Sequence, residues 1–77
     1  MNLISRAIFI NSHTSEVIVE IAIYEGKIGF EIIRRSISYI TGVIKISKDD
    51  AIEYYNNELN ATRKGLQEME IIYEIRS

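Results

Sequence analysis

The sequence predicts a small α+β domain: one antiparallel sheet of four to five strands in the order β-β-β-β-α-β, with a single amphipathic helix packed on one face. Three observations lead there. Only Ser47–Leu66 repeats its apolar residues at helical spacing between recognisable caps. The other segments alternate or run apolar over short spans and are separated by turn formers. Isoleucine supplies 17 of the 77 residues, and its β-branched side chain suits a pleated, buried surface. A lone helix among strands has one sheet to pack on, so it becomes the lid.

The length of 77 residues, with no proline and no low-complexity run, describes one domain over residues 1–77. A chain without cysteine has neither disulfides nor thiolate metal sites, which fits a reducing compartment. The formal net charge of −2 gives no basic excess for phosphate binding. No apolar run reaches the ~20 residues that span a bilayer. The start, MNLISRAIFINSHTS, lacks a basic region followed by a long apolar core. The expectation is a cytoplasmic protein without a membrane segment.

Asn2–Ile10 reads as a strand that is apolar on both parities, and Asn11–Ser15 is a cluster of turn formers. Glu16–Arg35 reads as a hairpin whose arms flank a two-residue Glu25-Gly26 loop of type I′. That loop pairs Ile23 with Ile28, Ile21 with Phe30 and Val19 with Ile32 on the inner face. The outer face then carries Glu16 against Arg35, Ile18 against Ile33, Glu20 against Glu31, and Ala22 against Gly29. Continued through the preceding loop, this register sets Ile8 beside Ile18, Arg6 beside Glu20 and Ile4 beside Ala22, with Leu3, Ala7 and Phe9 facing inward.

Beyond Ile33 the apolar parity changes, which predicts a bulge or break at Arg34–Ser36. Thr41-Gly42 then turns the chain into a fourth strand, Val43–Ser47. In the helix, Ser47 is the N-cap and Asp50 the acidic residue three positions on. Asp49, Asp50 and Glu53 suit the positive end of the helix dipole, Arg63 and Lys64 the negative end. Gly65 suits a left-handed residue just past the helix. Ile52, Tyr55, Leu59, Thr62 and Leu66 form the buried stripe, and Asn56, Asn57, Asn60 and Lys64 the wet side. Met69–Arg76 alternates as a half-buried strand at an edge or beside the first strand.

Motifs for chemistry are absent. His13, the only histidine, sits in a turn with no partner at metal-ligand spacing. Glu20 and Glu31, opposed in the derived register, could hold a hard cation, but with Arg6 beside them they read as a surface charge cluster. No nucleophile stands beside a base, and no glycine spacing matches a phosphate loop. No catalytic residue, cofactor or metal is therefore expected, and the chain reads as a non-enzyme.

One helix covers one face of a sheet, which leaves Ile4, Ile8, Ile18, Ala22, Gly29 and Ile33 on the uncovered face. An apolar patch on a small protein marks an interaction surface. The leading expectation is an interaction module forming a homodimer through that face or a sheet edge. The alternative is a nucleic-acid-binding regulator using Arg34, Arg35, Lys45 and Lys48, with tyrosines as stacking faces.

Overall fold

The structure, a computed structural model, describes residues 1–76. In chain order the elements are β1 (Asn2–Asn11), β2 (Val17–Glu25), β3 (Phe30–Ser36), β4 (Ile40–Lys45), α1 (Lys48–Gly65) and β5 (Ile71–Arg76). All five strands form one antiparallel sheet ordered β4-β3-β2-β1-β5, and α1 packs against one face. The first four strands follow one another as a meander. The helix, about 27 Å long at 1.5 Å per residue, then carries the chain back over the sheet. It delivers β5 to the far side of β1, so β4 and β5 are the two edges.

The core lies between sheet and helix. Ala7, Phe9, Val19, Ile21, Ile23 and Ile32 from the strands meet Ala51, Tyr55 and Leu59 from α1. Ser47 caps the helix by accepting a hydrogen bond from the Asp50 N–H at 3.4 Å. The buried helical residues are Ala51, Tyr55, Leu59 and Thr62, so Ala51 takes the position expected of Ile52, which is 37% exposed. The smaller side chain lets the first helical turn sit close to the sheet. Gly65 is still helical, and no described glycine has a positive φ. Leu66 ends the helix instead at φ −103°, its N–H donating to the Thr62 carbonyl, so the left-handed glycine cap does not form.

The β2–β3 hairpin keeps its predicted faces but not its register. Glu25 pairs with Phe30, Ile23 with Ile32, Ala22 with Ile33, Ile21 with Arg34 and Glu20 with Arg35. The chain reverses at Lys27-Ile28, between Gly26 and Gly29, whose N–H and C=O are bonded at 2.8 Å. A type I′ turn needs positive φ at both central residues, and Ser15 is the only described non-glycine with one. Two reasons favour the observed register. It sets Glu20 opposite Arg35 rather than Glu31, removing a like-charge pair. It also puts Gly29 where a Cβ would lie 2.7 Å from the Lys45 carbonyl oxygen, a gap that only glycine tolerates. Because the slip is an even number of residues, the paired strand residues from Val19 to Ala22 and from Phe30 to Ile33 stay on their predicted faces.

The β1–β2 ladder is shifted likewise: Ile8 faces Glu20, Arg6 faces Ala22, and two irregularities fall near Ile4 and Ile18. The first turns Leu3 out beside Tyr24 and lets Ile4 pack against the core. β3 runs unbroken through Ser36, and the Ser36 N–H to Tyr39 carbonyl bond of 2.9 Å closes a turn at Ile37-Ser38. The parity change thus marks the strand's end, not a bulge. β4 starts at Ile40 and includes Thr41 and Gly42, which were expected to be the turn.

Candidate functional site

Pairing fixes what stands on the helix-free face. Three rows cross it: Glu74–Ile8–Glu20–Arg35–Ile40, then Arg76–Arg6–Ala22–Ile33–Gly42, then Tyr24–Glu31–Ile44. Ile8 is 5% exposed and Ala22 2%, though no helix lies over them. Their cross-strand neighbours on that face are long charged side chains, Glu74 and Glu20 beside Ile8 and Arg6 beside Ala22, and the aliphatic stems of such residues shield apolar surface. Arg6 shows how tight this cover is: its Nε is buried without a hydrogen-bond partner. The middle of this face is therefore an apolar seam under charged groups.

The six residues expected to form an open patch separate accordingly. Ile8, Ala22 and Ile33 do share the helix-free face. Ile4 and Ile18 sit at the ladder irregularities and pack against the core cluster. Gly29 is held in the β2–β3 turn against β4. The expected row Ile4–Ala22–Gly29 does not exist, since Ala22 is flanked by Arg6 and Ile33.

Apolar exposure concentrates instead at the β4 edge. Ile40 is 63% exposed and Ile44 57%. Both point to the helix-free side with Gly42 between them, because they pair with Arg35, Glu31 and Ile33 of that face. From Ile40 to Ile44 the strand carries no charge, no proline and no bulge. Edge strands of that kind offer unpaired backbone groups to another chain. Sequence reasoning missed these residues because it placed the turn at Thr41-Gly42. The alternation of Ile40, Gly42 and Ile44 was the available signal.

The four candidate cations do not share a surface. Arg34 lies on the helix side, donating from Nε to the Tyr39 hydroxyl at 3.1 Å and from its terminal nitrogen to the Thr62 hydroxyl. Arg35 lies on the other face opposite Glu20. Lys45 sits over the Tyr54 ring, 5.2 Å from its centre, at the end of the β3–β4 ladder away from Arg34. Lys48 is in the first turn of α1. The doublet Arg34-Arg35 was split by strand alternation, which sends consecutive side chains to opposite faces.

His13 pairs with Glu70 at 2.8 Å, both largely exposed, pinning the β1–β2 loop to the start of β5. Glu20 and Glu31, no longer opposed, do not form a cation site, and no cluster of metal-ligating residues occurs among the described residues. Burial raises the Tyr55 hydroxyl above its ordinary pKa, although its hydrogen bond to Ser5 at 3.2 Å opposes that shift. No helix among the described residues is long and apolar enough to cross a membrane. No protein-family model, curated protein or solved structure matches this chain.

Proposed function

We propose that this chain is a non-catalytic interaction module that forms a homodimer through an edge of its sheet. The observation that carries the reading is the β4 edge, uncharged from Ile40 to Ile44, with Ile40 63% and Ile44 57% exposed. Such an edge on a small domain is an aggregation hazard unless something pairs with it. The helix-free face is the weaker candidate, because Ile8 and Ala22 are already covered by their own neighbours.

Light scattering on the eluting protein tests this. The expected mass at high micromolar concentration is twice the 8.9 kDa of the chain. The variant Ile40→Lys/Ile44→Lys is expected to elute at the single-chain mass with an unchanged circular dichroism spectrum, because both positions are exposed in the isolated chain. A parent protein that stays at 8.9 kDa under those conditions removes the reading.

A further inference from the structure

The backbone at the β4 edge specifies how a second copy would add. In an antiparallel ladder, successive residues alternate between pointing their N–H and C=O toward one neighbour strand and toward the other. The Ser36 N–H to Tyr39 carbonyl bond makes those two residues a hydrogen-bonded pair. Alternation along the β3–β4 register then turns Thr41, Val43 and Lys45 toward β3. It leaves the N–H and C=O groups of Ile40, Gly42 and Ile44 aimed away from the sheet.

We infer that β4 pairs with β4 of a second copy of this chain, antiparallel, about a two-fold axis at Gly42. This rests on the dimer reading above and names its partner and register. Centred there, all three outward residues of each strand are used. Gly42 bonds to the partner's Gly42, Ile40 to the partner's Ile44, and Ile44 to the partner's Ile40. A centre at Thr41 or Val43 leaves one outward residue of each strand unpaired.

Side chains agree with this choice. On the helix-free side, Ile33, Ile40 and Ile44 of both copies surround the two glycines, closing the apolar exposure of the edge. On the helix side, Thr41 faces the partner's Val43, a close β-branched pair. Lys45 faces the partner's Tyr39, so no like charges meet across the seam. The two five-stranded sheets become one ten-stranded sheet with both helices on the same side, since paired residues share a face.

The β5 edge is the competing site. The Ser12 N–H to Glu70 carbonyl bond of 3.0 Å turns Ile71, Tyr73 and Ile75 outward there. A two-fold at Tyr73 would use all three, but it sets Ile72 against the partner's Glu74. It also sets Glu70 against the partner's Arg76, yet within one chain these already pair with His13 at 2.8 Å and Glu74 at 2.7 Å.

Single cysteines test the register, because the chain has none of its own. A Cβ at Gly42 meets only the Glu31 carboxylate at 3.6 Å, ordinary contact, so Gly42→Cys is compatible with the fold. Across the proposed axis its Cα atoms would be about 5.5 Å apart, inside the disulfide range. Those of Ile40→Cys would be about 14 Å apart, outside it. Mild oxidation is expected to convert Gly42→Cys to a covalent dimer at least about tenfold faster than Ile40→Cys or Ile72→Cys. If Gly42→Cys is dimeric under reduction but fails to cross-link, or if Ile40→Cys or Ile72→Cys links faster, the Gly42 register is overturned while the dimer reading survives. A parent protein that is monomeric overturns both.

Discussion

The two edge strands close the same sheet, yet they are held and defended differently. β4 is tied in by backbone approach, with Gly29 packed against the Lys45 carbonyl, and by the Lys45–Tyr54 contact to the helix. Its outer backbone has no charged or bulky guard between Ile40 and Ile44. β5 is tied in by rings: Tyr73 lies 4.9 Å from Phe9, with the Arg63 guanidinium 4.8 Å above it. Its edge carries Glu74 and Arg76, the kind of charge that discourages further pairing. The difference teaches that an edge can be well anchored to its own sheet and still be the one left open to another chain.

The largest expected effect falls on the β5 side. Phe9 is 1% exposed and its ring centre lies 4.9 Å from that of Tyr73. Phe9→Ala is expected to cost about 3–5 kcal/mol in urea denaturation. Amide exchange should quicken more in β5 than in β4; equal quickening in both would break the contrast between the edges. Smaller is the effect on the β4 side, where Gly29→Ala forces a methyl group to within 2.7 Å of a backbone oxygen that cannot rotate away. A loss of about 1–3 kcal/mol is expected, with β4 amides exchanging faster and β5 amides little changed. A stable Gly29→Ala protein would show that β4 is not held by this approach.

The smallest effect sharpens how the helix is tied to the β1–β5 half. Tyr55 donates to Ser5 of β1, and burial raises its pKa above the ordinary 10.0. A raised tyrosine pKa means the folded state keeps its proton where the unfolded chain has lost it. The contribution is therefore complete below pH 10 and falls as pH rises through the folded value. Chemical denaturation as a function of pH should show this decline in the parent and a shallower one in Tyr55→Phe. Identical profiles would remove the hydroxyl from the account.

Much of this architecture was legible because it depends on local pattern. The face of each strand residue from Val19 to Ile33 followed from alternation, and it survived even though the register did not. The helix ends were nearly right because Ser47 and the charges of each terminal turn act within a few residues. What failed depended on contacts distant in sequence. Nothing local reveals that Gly29 must clear the Lys45 carbonyl, so Glu25-Gly26 looked like the better turn. Thr41-Gly42 looked like a turn for the same reason, and that hid the Ile40–Ile44 edge. Gly29 left its expected place on the helix-free face with the β2–β3 register, and Ile4 and Ile18 left theirs at the irregularities of the β1–β2 ladder.

The sequence by itself determined the element order, the one-sided helix and the faces of the central β2 and β3 residues, because periodicity and capping are encoded over a few neighbouring residues. Only the tertiary structure decided which residues meet across strands, which cations share a face, and which edge stays open. Those outcomes turn on close approaches between backbones and on opposed charges brought together from different strands. A slip of a few residues leaves every local pattern intact while changing every cross-strand partner.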